Sequence, residues 1–277
     1  MHDDSPPTPE AATASAPHLR WWGRHVVPEE SCIRVALGPL TLNAHNLPQE
    51  WRLVWRTDGD PTVDALGVTL LDAPPDEAGC EVSRYVSTRE EGALELLPAL
   101  ADRPMVARPD TPISLIGGDR ASVYVSTPLW VDIRTADTRR KLLQIPSLRP
   151  SDTWFGPSTR EGELCYAMRT RARLLPDLLQ QHPVRAITRV DLHNKAADPL
   201  RIERLKLPVP MLHLYVDPDG LCWTNPVAVS RAHNGLLAEL RIVSEPPPQA
   251  AGAEPLTRPR VPSRENVFVR ALGAMLN

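Results

Sequence analysis

A chain of 277 residues with 42% hydrophobic and 23% charged residues has the composition of a folded globular protein, long enough for one large core or two ordinary ones. Its formal charge of -3 excludes a general electrostatic attraction to DNA, RNA or anionic lipid, so no nucleic-acid partner is expected. Cys32, Cys80, Cys165 and Cys222 stand too far apart for a zinc ribbon or a redox pair, and no run approaches the roughly 18 apolar residues of a membrane span, so direct membrane insertion is not expected.

Residues 1–18 mix Pro, Ala, Ser, Thr and Asp without periodicity and read as a disordered leader. Met1 to Pro7 lacks the basic and apolar regions of a secretory signal, which makes the cytoplasm the expected compartment. Order is expected from Trp21-Trp22-Gly23 onward. The 31 prolines remove backbone donors and break long helices, so the core, residues 19–245, is expected to be short strands and turns. Ile33 to Leu37, ending at Gly38-Pro39, and Trp51 to Trp55, ending at Asp58-Gly59-Asp60-Pro61, are half-buried strands by composition and punctuation. Arg103 to Pro109 suits an edge strand. Ala121 to Val125 and Leu129 to Ile133 alternate around Ser126-Thr127-Pro128, either as a hairpin or as one strand bent at Pro128.

A second β unit is expected after Pro150, with a possible boundary between two halves at 146–151. Leu164 to Leu174 alternates, placing Leu164, Tyr166 and Met168 on one face and Cys165, Arg169, Arg171 and Arg173 on the other. Val184 to His193 repeats the pattern, and a hairpin through Pro176 to Pro183 would join the two. Further strands are expected at 205–207, 211–216, 221–223 and 240–243. Residues 246–262 read as a Pro-rich linker. Behind it, Phe268, Leu272, Met275 and Leu276 mark one stripe of a short amphipathic helix over 263–277. The expected fold is therefore all-β, an antiparallel sandwich or jelly-roll-like arrangement with a C-terminal helix.

Asp102-Arg103-Pro104 through Val123 to Trp130, together with Ser151-Asp152-Thr153-Trp154-Phe155-Gly156 through Gly162 to Ala167, resemble an uncharacterised prokaryotic family, domain of unknown function number 432. The resemblance spans about residues 20–245 and supplies no activity, cofactor or catalytic residue. It implies a protein partner, a small-conductance mechanosensitive membrane channel.

The segment with the densest functional groups is Asp152 to Tyr166. It lacks the G-x-S-x-G elbow of a hydrolase and reads first as an ordered loop anchored by Trp154 and Phe155. As a binding rim it would present Asp152, Trp154, Arg160 and Glu163, beside an anion-binding face carrying Arg169, Arg171 and Arg173, with Arg185 and Arg189 across the hairpin. Asp191, His193 and His213 are the residues that could converge on a metal, though no H-x-H or H-E-x-x-H motif accompanies them. With no catalytic motif and no glycine-rich phosphate loop, neither catalytic residues nor a cofactor are assigned. The leading expectation is a non-catalytic binding or accessory module. The alternative is a small-molecule enzyme or ligand sensor with its site over residues 152–165.

Overall fold

The computed structural model describes residues 20–57, 65–87, 91–156, 158, 160–170, 172–175, 182–233 and 238–262, and the backbone of 267–269. Apart from single 3-10 turns at Val209–Met211 and Pro248–Ala250, every regular element among them is a strand. In chain order the strands are β1 (Gly23–Val26), β2 (Cys32–Leu37), β3 (Leu40–Leu47), β4 (Glu50–Thr57), β5 (Leu66–Leu71), β6 (Glu81–Val86) and β7 (Ala93–Ala99). They continue as β8 (Met105–Pro109), β9 (Ile113–Leu115), β10 (Arg120–Pro128), β11 (Trp130–Thr135), β12 (Lys141–Pro146), β13 (Ser151–Phe155) and β14 (Glu163–Thr170). The last are β15 (Arg185–Asn194), β16 (Leu200–Ile202), β17 (Leu205–Leu207), β18 (Leu214–Val216), β19 (Cys222–Thr224), β20 (Val227–Arg231), β21 (Ala238–Ile242) and β22 (Val267–Val269). The chain is all-β, as expected.

The N-terminal strands make an antiparallel sheet in the order β5-β2-β3-β4-β6. Tight turns set its register: Gly38 takes φ 59 between β2 and β3, and Gln49, behind Pro48, takes φ 59 between β3 and β4. Alternation then puts Val35, Leu42 and Trp55 in one cross-strand row and Ile33, Ala44 and Leu53 in another, all buried. A second antiparallel sheet runs β1-β7-β11-β12. The two β-rich segments on either side of Pro128 do not pair with each other. β10 joins β15, β11 joins β7 and β12, and the chain bends from one sheet to the other at Pro128-Leu129, the second of the two arrangements the sequence allowed.

β15 pairs with three strands of the seven-stranded sheet. It pairs antiparallel with β10 along nine residues, from Arg120↔His193 to Pro128↔Arg185. Its other edge takes two strands in succession, both parallel, β19 at Ala186↔Cys222 and β20 from Val190↔Val227. The break between them falls at Asn225-Pro226, where proline has no N–H to give the ladder and the Asn225 side chain donates to Val243 O at 3.0 Å instead. β8 and β14 also run parallel, so the sheets are mixed rather than antiparallel throughout.

Four expectations change here. The hairpin between Leu164–Leu174 and Val184–His193 does not form: β14 pairs with β13 and β8, while β15 pairs with β10, β19 and β20. The pairings β8–β14, β9–β16 and β10–β15 all cross residues 146–151, and one continuous apolar cluster runs from Trp21 to Leu240, so that segment separates no halves. Residues 246–262 are extended but not a free linker. Leu256 and Thr257 donate to Leu214 O, Arg260 and Val261 donate to Pro210 O, and the Arg260 guanidinium bonds Leu100 O, which straps the segment to the body. Of the expected C-terminal helix, Val267–Val269 is instead a strand on β21; residues 263–266 and 270–277 lie outside the described residues.

Candidate functional site

Strands β10, β15, β20 and β21 bury one face and leave the other open. On the buried face Val123, Val190, Leu192, Val227, Val229 and Leu240 join the core. On the open face the register sets Ser122, Asp191, Ala228 and Arg241 in one row and Arg120, His193, Ser230 and Glu239 in the next. Ser122, Ala228 and Ser230 are small, whereas Arg120, Arg189 and Arg241 around them are long. That contrast hollows the sheet surface into a depression of about 480 Å³ lined by Arg120, Ser122, Arg189, Asp191, His193 and Arg241 among others.

The depression is electropositive. Asp191 is its one lining carboxylate, and Oδ1 already accepts from Ser122 Oγ at 2.6 Å and from Arg189 Nε at 2.8 Å. Arg189 also reaches Ser122 Oγ, at 3.3 Å, so the three side chains hold one another in place. Arg120 and Arg241 are exposed and make no ion pair among the described residues. Partial burial, then the charges of Arg120, Lys195 and His233, hold His193 below its ordinary 6.5. The His193 imidazole and the Ser230 hydroxyl, beside two guanidinium groups with no ion pair among the described residues, make a donor-rich surface suited to phosphate or carboxylate oxygens, the Ser122 proton being given to Asp191.

The residues singled out from the sequence fall in several places. Asp152 lies on β13, with Oδ1 3.1 Å from Arg103 Nη1, and Tyr166, its register partner, donates to Asp102 Oδ1 at 3.0 Å. Trp154 is 46% exposed and donates through Nε1 to Ser158 O at 2.8 Å. Ser158 Oγ in turn accepts from the backbone of Arg160 and Glu161, and Glu163 pairs with Lys206. The described residues of the β13–β14 turn are thus bonded to one another, and a Cβ on Gly156 would sit 2.1 Å from Glu161 O, so the two sides of the turn are in close contact there. The expected ordered loop is thus shorter than read from the sequence, because Ser151–Phe155, with Asp152, Trp154 and Phe155, is a strand paired with β14.

The expected arginine face does not assemble. β14 ends at Thr170, and Ala172 adopts φ 39, a left-handed conformation that breaks the alternation. Arg169 stays exposed beside Arg108, whereas Arg173 turns to β10, where its carbonyl accepts from Tyr124 N at 2.8 Å. Arg171 lies outside the described residues. Asp191 and His193 do share the open face, but His213 sits beyond the β18 end of the sheet, with its backbone N and Nδ1 both on Asn225 Oδ1. Among the described residues no three His, Cys, Asp or Glu side chains are placed to hold a metal ion.

Sequence reasoning placed Arg189, Asp191 and His193 on one face yet missed Arg120 and Arg241, because only strand order brings β10 and β21 alongside them. The available signal was the polar alternation Arg120-x-Ser122-x-Tyr124, which mirrors Arg189-x-Asp191-x-His193.

No described helix is long and apolar enough to cross a membrane. No curated protein and no solved structure matches the chain. The model of one family, described as protein of unknown function (DUF432), matches residues 21–276, which takes in every strand of the open-faced sheet, and the chain belongs to that family.

Proposed function

We propose that this protein is a non-catalytic binding or accessory module on a sandwich-like β body, and that the open face of the β10-β15-β20-β21 sheet holds an anionic ligand. The observation that carries the reading is the pair of guanidinium groups of Arg120 and Arg241, without an ion pair among the described residues, on opposite sides of a depression whose only lining carboxylate among those residues is already engaged by Arg189 and Ser122. Positive charges on both sides, with the Ser230 hydroxyl between them, form a cradle for phosphate or carboxylate oxygens. Ser122, Asp191 and Arg189 are bonded to one another, a self-paired set between the two arginines, and binding rather than turnover is the reading this favours.

Calorimetric titration of the full chain with inorganic phosphate and pyrophosphate tests it. Saturable binding, weakened about tenfold in both Arg120→Ala and Arg241→Ala, corresponds to about 1.4 kcal/mol per lost charge-assisted contact and would support the site. Affinity that is absent, or indifferent to both substitutions, would remove it. The channel partner implied by the family resemblance is part of the same proposal. Copurification of tagged protein in mild detergent checks it, and recovery without any stoichiometric membrane protein would count against an accessory role.

A further inference from the structure

One side of the open-faced depression sets an imidazole among positive charges. His193 lines the depression from β15, between its register partners Arg120 on β10 and Ser230 on β20. Partial burial, and then three positive or protonatable neighbours, Arg120, Lys195 and His233, keep the ring from taking a proton. Those neighbours come from three places: the facing strand, the same strand two residues on, and the segment just past β20. Nothing of opposite sign among the described residues offsets them. Asp191, two residues back on β15, is engaged by Ser122 and Arg189, and Glu239 on β21 stands two strands away, beyond Ser230. Arg241 shares β21 with Glu239 and lines the depression from that side. The link from His233 to β21, Asn234-Gly235-Leu236-Leu237, contains no carboxylate.

An imidazole in this setting is poised by repulsion. A proton added to His193 of the free protein puts one more positive charge beside Arg120 and Lys195. An anion seated between Arg120 and Arg241 reverses that balance, because its charge offsets the repulsion and its oxygens accept the N–H that protonation supplies. By reciprocity, a ligand that favours the protonated ring binds more tightly where protons are plentiful. The coupling grows with the charge of the ligand, and two guanidinium groups with an imidazolium match a dianion better than a monoanion.

Building on the anion reading of this face, we propose that the depression is a proton-coupled site for a dianionic oxyanion, with His193 taking one proton from solvent as the ligand binds and donating it in a hydrogen bond to a ligand oxygen. Affinity is then flat at high pH, rises by at most about tenfold per pH unit once the imidazole of the complex begins to take its proton, and levels off when the free protein is protonated as well, below 6.5.

Calorimetry on the full chain at fixed ionic strength tests this with sulfate, a dianion, and methyl sulfate, a monoanion of the same tetrahedral form. Neither ion titrates across the range of about pH 5–8 in which a histidine changes charge. Sulfate affinity should rise about five- to tenfold from the top of that range to the bottom, and methyl sulfate should bind about tenfold more weakly at the acid end. The rise should vanish in His193→Gln. Sulfate that fails to bind at any pH, or that binds equally well in Arg120→Ala and Arg241→Ala, would remove the anion reading and this proposal with it. Binding that depends on both arginines yet stays flat with pH, a rise that persists in His193→Gln, or equal affinity for methyl sulfate would each overturn the proton-coupled site alone. Should His193→Gln fail to fold, heats of sulfate binding to the natural sequence in buffers of different ionisation enthalpy decide: uptake of about 0.3 proton or more per sulfate near pH 6 supports the coupling, and none overturns it. Inorganic phosphate and glycerol 1-phosphate, compared at about pH 8 where both are dianions, then identify the source, tighter binding of the ester pointing to a phosphomonoester and weaker binding to the free ion.

Discussion

Arg52 on β4 reaches Glu77 in the crossover between β5 and β6, with Nη2 2.6 Å from Oε2, and so fastens that crossover over the outer face of the five-stranded sheet. β5 and β6 are the two edges of the sheet, so their connection has to traverse it. Beneath lie Cys32 and His45, direct cross-strand partners at 1% and 7% exposure. Burial pushes the Cys32 thiol up to about 11, and a thiol in that state reacts only when the cover opens. A partly exposed ion pair contributes about 0.2–1 kcal/mol, so Glu77→Ala should speed labelling of Cys32 by a maleimide by a factor of about 1.4 to 5. The measurement belongs in a Cys80→Ala background, because Cys80 is partly accessible. An unchanged rate would mean that the ion pair does not hold the cover.

The same enclosure makes the fold acid-sensitive. Burial, then the Arg52 charge, holds His45 below its ordinary 6.5, with Glu77 acting in the opposite direction. Burial lowers His25 as well, partly offset by its hydrogen bond to Trp21 O. In the unfolded chain both bind protons near 6.5, whereas in the folded chain they resist them. Their contribution to stability is therefore fully present above pH 6.5 and is lost as the pH falls through the folded-state values. Unfolding free energies from urea titrations should decline below that pH by at most about 1.4 kcal/mol per pH unit for each histidine. His45→Gln should flatten the decline, and a slope identical to that of the natural sequence would exclude His45 as a contributor.

Gly117 gives a steric prediction. A Cβ there would lie 2.1 Å from Ala197 O and 2.4 Å from Ala197 C, backbone atoms with no side-chain freedom to yield. Both strands of the approach are pinned, Gly118 N donating to Asn194 O at 2.9 Å and Asn194 Nδ2 donating to Asp198 O at 2.8 Å. Gly117→Ala should cost about 1–3 kcal/mol in chemical denaturation, as overpacking does. A cost under about 0.5 kcal/mol would show that the 115–119 turn moves freely.

Trp21 is fully enclosed, and its Nε1 donates to Pro183 O at 3.2 Å, joining the first described residues to the start of β15. Trp21→Ala should destabilise by about 3–5 kcal/mol, and Trp21→Phe by less, because it keeps most of the apolar volume. Equal losses would place the stabilisation in the hydrogen bond rather than the ring.

Much of the strand content was legible from the chain because alternation and turn chemistry are local properties. Gly38-Pro39 ends β2 and Asp217-Pro218-Asp219-Gly220 turns β18 into β19, each readable without knowing what packs nearby. Pairing is not local. Nothing between Glu163 and His193 announces that the two alternating runs go to different sheets, and the parallel alignment of β15 with β20 rests on a connection of more than thirty residues. The candidate site was half visible for the same reason. Arg189, Asp191 and His193 share a strand and hence a face, but Arg120 and Arg241 reach the depression only through that pairing.

The position of β15 also bears on how the chain is made. β10 is complete at residue 128, yet its partner ends at residue 194. At a synthesis rate of about 5–20 residues per second, a nascent chain carries β10 without its mate for roughly 3–13 seconds. During that interval the edge containing Val123 and Val125 can pair with any other unpaired strand nearby. The arrangement that gives the finished protein its seven-stranded sheet therefore makes the half-made chain a client for chaperones, and slow-translating stretches between codons 128 and 194 would lengthen that exposure.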